Sequence, residues 1–172
     1  MEFDDYVRQR GAALVRLGRL LTGDRHQGED LAQDVLARAF VRWELIAADP
    51  PDPYLRRMLV NAAISRWRLA SSREVAVAEP YDTPGPCDLG AEAAERDATW
   101  RLIRALPPKQ RAAVVLRYYE DLDDTAIAEL LNCSRETVRS QVKRALDSLR
   151  ARLAEEGSDA GSAGLTLNGG KS

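Results

Sequence analysis

The chain has 172 residues, 45% of them hydrophobic and 30% charged, with a formal net charge of −2. This length allows one ordinary domain or two small ones, and no apolar stretch of the sequence is long enough to span a membrane. A single histidine and two distant cysteines, Cys87 and Cys133, argue against a His/Cys metal site and predict two free thiols. We expect no metal and no cofactor. The N-terminus lacks the apolar segment of a secretory signal, so we expect a cytoplasmic protein.

The first 70 residues predict three amphipathic helices. Apolar residues recur at helical spacing over residues 3–22, from about residue 27 to 47, and from about residue 54 to 69. The turn at Thr22-Gly23-Asp24 and the proline-rich residues 48–53 separate these helices. Helices joined by such short connections predict a compact N-terminal bundle of three or four helices.

The third predicted helix carries a polar face. Four of its side chains recur at spacings of four, four and three, and an arginine and a tryptophan lie beside them. The six residues are Arg57, Asn61, Ser65, Arg66, Trp67 and Arg68. A basic face next to an aromatic ring can hold phosphates and stack unpaired bases. A surface helix whose tryptophan is partly buried in the core has the same spacing, so both interpretations stay open.

A linker is predicted between two helical parts of the chain. Residues 71–92 contain three prolines and two glycines and show no apolar periodicity. Helical spacing resumes over residues 94–106 and 109–119, on either side of Pro107-Pro108. The small and polar residues at the end of the chain predict a disordered tail over residues 155–172.

Residues 123–153 predict two helices joined by a tight turn. Asn132 tolerates the left-handed conformation of a helix end, and Ser134 is a good N-cap for the second helix. Residues 135–152 carry six basic and two acidic side chains, a local positive charge that suits DNA binding. The pattern favours a helix-turn-helix whose second helix enters the major groove, although a helical hairpin with a solvated basic face is the alternative. The candidate DNA contacts are Arg135, Glu136, Thr137, Arg139, Ser140, Lys143 and Arg144.

Four segments in series resemble the extracytoplasmic-function (ECF) sigma factors of bacterial RNA polymerase, and most nearly their short SigE-like actinobacterial group. Residues 28–34 (GEDLAQD) resemble region 2.2, and residues 53–68 resemble regions 2.3 and 2.4. Residues 105–119 and 133–140 are similar to regions 4.1 and 4.2. The resemblance implies an all-α protein of two small helical domains, with region 2 in residues 1–70, a flexible linker in residues 71–92 and region 4 in residues 93–154.

The resemblance also implies partners. Asp30, Gln33, Asp34 and Arg38 match the face that docks on the β′ clamp helices of core RNA polymerase, and the β flap is a second expected contact. The polar face of the third helix matches the surface that opens and holds the −10 element, and the basic helix of the helix-turn-helix matches the −35 reader. An anti-sigma factor would be a further partner.

Two positions depart from the family pattern. Ser65 stands where the family often has Asp, which would alter the −10 preference. Gln141 stands where it often has Arg or Lys, which would remove a phosphate contact.

The predicted function is therefore promoter recognition for core polymerase, with no catalytic activity of the chain's own. The alternative is a stand-alone helix-turn-helix regulator with an N-terminal dimerisation or ligand domain. Such a regulator has no reason to carry the predicted helix over residues 27–47 followed by an Arg/Trp-bearing helix. A helical enzyme is a third class, and the sequence has neither a phosphate-binding glycine loop nor a nucleophile elbow.

Overall fold

Helices make up nearly all of the regular structure. The computed structural model describes the backbone of residues 1–72 and 91–162 and the side chains of residues 1–72 and 98–158. Within these ranges the regular elements are α-helices and one π-helical turn, with no β-strand. The predicted all-α class is confirmed. Nor does any helix in the described part of the chain have both the length and the apolar character needed to cross a membrane.

The helices fall on either side of residues 73–90. The N-terminal half contains α1 (Phe3–Thr22), α2 (Arg25–Val41), α3 (Trp43–Ile46) and α4 (Pro51–Ser72). The C-terminal half contains α5 (Ala91–Arg104), α6 (Pro108–Val114), the π-helical turn (Val115–Tyr119), α7 (Asp124–Leu131) and α8 (Arg135–Ser162). Most of the predicted linker lies outside the described residues, and so does Cys87.

Several boundaries differ from those predicted. The predicted helix over residues 27–47 is divided at Arg42 into α2 and α3. Helix α4 begins at Pro51, because proline is tolerated in the first turn of a helix, where its missing N–H has no partner to lose. Helix α8 continues to Ser162, past residue 155, where the predicted tail begins. Residues 154–156 are good helix formers, which favours helix at the start of this continuation.

Helices α1 and α2 cross closely through two glycines. A Cβ atom on Gly28 would lie 2.5 Å from the Cα of Arg19, and one on Gly18 would lie 2.6 Å from the carbonyl oxygen of Gly28. Between the helices, Gly23 takes the left-handed conformation (φ 69°) that ends α1. Asp24 then caps α2 by accepting the backbone N–H of Gln27 at 2.8 Å. These short-range features fix the position of α2 on the bundle.

One apolar core runs through both halves of the molecule. Its largest fully buried side chains from the N-terminal half are Tyr6, Leu14, Leu17, Leu31, Val35, Leu55 and Leu59. The C-terminal half contributes Val115, Leu116, Ile127 and Val138 to the same cluster. The two halves therefore pack against each other in this structure.

Arg111 of α6 joins the halves. It is a buried guanidinium whose Nε donates to the carbonyl oxygen of Leu21 at 3.3 Å and whose Nη1 donates to that of Arg104 at 3.0 Å. These carbonyls lie at the C-terminal ends of α1 and α5, where helix dipoles place partial negative charge. A side chain at Gly23 would collide with this guanidinium. Burial, and then the charge of Arg104, lower the pKa of Arg111.

A second polar contact between the halves centres on Arg56 of α4. Its Nη1 donates to Oε1 of Glu120 at 2.6 Å, and its Nε donates to Oδ2 of Asp52 at 2.8 Å. The Tyr6 hydroxyl donates to the other oxygen of Asp52 at 3.1 Å. Burial raises the pKa of Glu120, although the Arg56 guanidinium opposes this shift. Burial and then Asp52 raise the pKa of Tyr6.

Candidate nucleic-acid interface

The helix-turn-helix forms as the sequence predicts. Asn132 ends α7 in the left-handed conformation, with φ 52° and ψ 54°. The Ser134 hydroxyl caps α8 by accepting the backbone N–H of Thr137 at 3.1 Å. Val138 and Val142 are buried under α7 and α6, which turns the opposite side of α8 outward.

The outward side of α8 carries the predicted DNA contacts, and we call it the α8 face. All its members are exposed except Ser140, which is half-buried. They are Arg135, Glu136, Thr137, Arg139, Ser140, Lys143 and Arg144. Arg135, Arg139 and Lys143 follow one another at intervals of one helical turn, so they form a single basic row.

Glu136 lies at the start of this helix. A hydrogen bond from its own backbone N–H, and then one from the Ser134 hydroxyl, lower the pKa of its carboxyl group. The side chain is therefore an ionised acceptor near neutral pH. The α8 face thus combines cationic donors with one anionic acceptor, which is the chemistry needed to distinguish base edges.

Arg139 is held by a residue that the sequence analysis missed. Its Nε donates to Oδ2 of Asp124, the first residue of α7, at 2.8 Å. Arg117, from the π-helical turn, forms an ion pair with the other oxygen of Asp124. Asp124 and Arg139 are 15 positions apart on different helices, so no periodicity of one helix brings them together.

The polar side of α4 carries the second predicted set, which we call the α4 face. Arg57, Asn61, Ser65, Arg66 and Arg68 are exposed, whereas Trp67 is half-buried. Trp67 is therefore not part of the buried core, and it is not fully exposed to solvent either. Arg68 Nη2 donates to the carbonyl oxygen of Leu131 at 3.3 Å, which places the end of this face beside α7.

The third predicted set lies on α2, and we call it the α2 face. Its four members, Asp30, Gln33, Asp34 and Arg38, are all exposed. Asp34 forms an ion pair with Arg66, so the α2 face and the α4 face adjoin on the surface. No group of three His, Cys, Asp or Glu side chains that could hold a metal ion occurs within the described residues.

An apolar patch beyond the end of the α2 face was also missed. Phe40, Val41 and Leu45 are all more than 60% exposed. The Phe40 ring contacts Phe3 edge-on at 5.1 Å between centroids. Phe40 follows the buried Ala39 and lies one turn after the buried Leu36. Helical spacing alone would therefore place the Phe40 side chain inward.

Comparisons with known proteins match both halves of the chain. The family model for sigma-70 region 2 matches residues 6–73, and that for sigma-70, region 4 matches residues 96–149. An RNA polymerase sigma-E factor of Streptomyces coelicolor is 37% identical over 161 residues, which cover 93% of this chain and 90% of that protein. The chain belongs to the ECF sigma factors of the sigma-70 family. A sigma factor directs promoter-specific transcription and is not an enzyme, so both of these predictions are confirmed.

Other relatives of this sigma factor support the assignment. The ECF sigma factor SigE of Mycolicibacterium smegmatis is 31% identical over 163 residues, covering 91% of this chain and 63% of that protein. The ECF sigma factor SigW of Bacillus subtilis is 27% identical over 165 residues, covering 88% of each chain. Because regions 2 and 4 both match, in that order, the stand-alone regulator is not favoured.

Solved structures share the fold of this sigma factor. The sigma factor RpoE of Bartonella quintana, solved in complex with the anti-sigma factor NepR, superposes with a TM-score of 0.66 at 21% identity. That match covers 88% of this chain and 96% of the other. CnrH, solved in complex with the cytosolic domain of CnrY, superposes with a TM-score of 0.54 at 20% identity, covering 89% of this chain and 88% of the other.

Proposed function

We propose that this sigma factor binds core RNA polymerase through the α2 face, reads the −10 element with the α4 face and reads the −35 element with the α8 face. The observation that carries this proposal is the exposed basic row on α8, within the segment that matches region 4. The α4 and α2 faces lie within the segment that matches region 2. Each face is solvent-exposed and carries chemistry suited to its target.

The α8 face suits duplex DNA. An arginine fork pairs with the O6 and N7 atoms of guanine, and each good pair of this kind discriminates between bases by about 1–3 kcal/mol. The ionised Glu136 suits the amino group of cytosine. Lys143 and Arg144 lie one to two turns beyond Arg139 and Arg135. They suit phosphates, and phosphate contacts hold the helix in register on the DNA.

The α4 face suits a strand that has left the duplex. Unstacking a base costs a few kcal/mol, and stacking on an aromatic ring recovers about 1–3 kcal/mol per base. Trp67 is half-buried, so part of this aromatic side chain is accessible to a base. Arg57, Arg66 and Arg68 supply positive charge for the displaced backbone, and Asn61 and Ser65 supply hydrogen-bonding groups for base edges.

The α2 face suits a protein helix with basic and polar groups. Asp30 and Asp34 are exposed acceptors for charge-assisted hydrogen bonds, and Gln33 offers both a donor and an acceptor. The exposed Val41 and Leu45 extend this face with apolar surface. We place the β′ clamp helices of polymerase here, the β flap on region 4 and the whole protein in the cytoplasm, with an anti-sigma factor as a further partner.

The domain limits belong to the same proposal. Region 2 occupies residues 1–70, a linker residues 71–92 and region 4 residues 93–154. The end of α4 at Ser72 and the start of α5 at Ala91 support these limits to within two residues.

Run-off transcription with purified core polymerase tests the proposal. We expect promoter-specific transcripts with the wild-type protein and their loss in the variant Arg139→Ala/Lys143→Ala, because two cations of the basic row are removed. Arg150→Ala is the matched control, since it removes an exposed arginine of the same helix beyond the α8 face. If the double variant transcribes like the control, the α8 face does not read the −35 element.

A further inference from the structure

We propose that Asp124 is a positioning residue that holds Arg139 in the orientation that reads one base pair of the −35 element. It thereby sets specificity at that position. Because this role rests on the proposed function of the α8 face, the two are tested with separate variants below.

The geometry leaves the reading end of Arg139 free. The guanidinium uses Nε to reach Asp124, at 2.8 Å. Both terminal nitrogens, Nη1 and Nη2, then remain for the two acceptors of a guanine edge. Arg139 is 63% exposed and Asp124 only 19%, so the carboxylate is the fixed partner and the arginine is the one that gains order.

Asp124 is itself anchored on three sides. Arg117, a half-buried arginine, pairs with its other oxygen. The preceding residue, Asp123, caps α7 by accepting the backbone N–H of Ala126 at 2.8 Å, which fixes the start of the helix. Helix α7 is locked onto α8 by Ile127 and Val138, both with no exposed surface. The carboxylate is thus a rigid point beside the recognition helix.

Arg139 differs in this respect from its neighbours in the basic row. Within the described residues, Arg135 and Lys143 make no side-chain ion pair, so both keep their rotamer freedom until DNA binds. An arginine that is already oriented loses less entropy on binding. It also rejects a wrong base more strongly, because it cannot swing to a substitute acceptor.

Because Asp124 is negatively charged, removing its charge distinguishes a positioning role from a general electrostatic effect on DNA binding. A carboxylate beside the DNA backbone repels phosphates, so its removal should strengthen nonspecific binding. Loss of positioning should instead weaken discrimination at one base pair. A merely structural role would lower stability and all DNA binding together, whereas the proposed role moves affinity and specificity in opposite directions.

The experiment uses the full chain assembled with core polymerase on a set of promoters in which each −35 position is varied. Arg139→Ala identifies the base pair that depends on this arginine. We expect Asp124→Asn to reduce selectivity at that pair by about three- to tenfold, part of the discrimination a full arginine–base pair provides. Selectivity at other positions should be unchanged, and binding to nonspecific DNA should be equal or tighter.

Glu129→Gln is the matched control. It removes the same charge from an exposed position on the same helix, without contacting Arg139. We expect it to leave selectivity at every position intact. In the Arg139→Ala background, Asp124→Asn should cause no further loss of selectivity.

Three results would overturn the inference. One is full selectivity in Asp124→Asn, another is a uniform loss at all positions, and the third is an equal loss in the Arg139→Ala background. If Asp124→Asn misfolds because Arg117 loses its partner, Arg117→Gln/Asp124→Asn removes both charges and is scored in the same way. If Arg139→Ala changes no position, the proposed −35 role of Arg139 fails as well, whereas a null result in Asp124→Asn alone leaves that role standing.

Discussion

At the scale of single residues, Arg111 shows how a charge can be buried without a carboxylate partner. Its guanidinium donates to the backbone carbonyls of Leu21 and Arg104 at two helix ends. Helix ends leave carbonyls unsatisfied and partially negative, so one cation satisfies acceptors from two helices. Gly23 is required beside it because any side chain would occupy the space of the guanidinium.

Replacing Arg111 should therefore weaken the contact between the halves. Arg111→Met keeps the apolar stem but leaves buried carbonyl groups without donors, which costs about 1–3 kcal/mol for such groups. We expect a loss of that size in the free energy of unfolding, measured by urea denaturation. Arg16→Met, an exposed arginine on α1, should change stability little. Equal stability of the two variants would show that the Arg111 hydrogen bonds contribute nothing net.

At the scale of secondary-structure elements, the crossing of α1 and α2 determines where the α2 face lies. Gly18 and Gly28 let the two backbones approach until no Cβ atom would fit between them. Gly28 is the first residue of the GEDLAQD segment. It packs the two helices together, whereas Asp30 and Asp34 of the same segment are exposed.

A methyl group at Gly28 should push the helices apart. The added Cβ would lie 2.5 Å from the Cα of Arg19, a backbone atom that cannot rotate away. Overpacking of this kind typically costs about 1–3 kcal/mol, so we expect Gly28→Ala to lower the melting temperature and weaken polymerase binding.

Gly11→Ala is the matched control for that experiment. Its new Cβ would make an ordinary contact of 3.5 Å with Val7, so the change should stabilise α1 by up to about 1 kcal/mol. A Gly28→Ala protein as stable as the wild type would contradict the close crossing.

At the scale of the whole molecule, the two halves share a core while the α2, α4 and α8 faces stay exposed. Arg68 is the α4-face member seen to contact the other half, through the carbonyl of Leu131. The packing instead buries Glu120, whose side chain is 8% exposed and paired with Arg56. The contact between the halves therefore contains an ionisable group whose pKa burial has raised.

The carboxyl group of Glu120 makes the free energy of unfolding depend on pH. A carboxyl whose pKa is raised by folding binds its proton more tightly in the folded protein. Its contribution to stability is full below its ordinary pKa of 4.5 and is lost as the pH rises through the raised value. Glu120→Gln, which is neutral at every pH, should raise the melting temperature near pH 7 and reduce the change between about pH 5 and pH 7.

Thermal unfolding at the two pH values measures the effect. Glu129→Gln, an exposed change on α7, should leave the difference between the two pH values as in the wild type. A lower melting temperature for Glu120→Gln near pH 7 would mean that the ion pair with Arg56 outweighs the cost of burying the charge.

The sequence by itself determined the helices, the helix-turn-helix and the three polar faces. These features depend on neighbours within about four residues: apolar spacing, the left-handed Asn132 and the Ser134 cap. It also contained enough sigma-factor motifs to indicate the family. The roles of the face residues stay predictions until the variants are measured.

Only the tertiary structure decided which side chains hold others in place. The pairing of Asp124 with Arg139, the burial of Arg111 against Leu21 and the glycine crossing at Gly28 join residues 15, 90 and about ten positions apart. Periodicity predicts which side of a helix faces inward, because the backbone repeats every 3.6 residues. It cannot predict which residue of another helix lies there, because that depends on the path of the intervening chain and on how closely the helices pack.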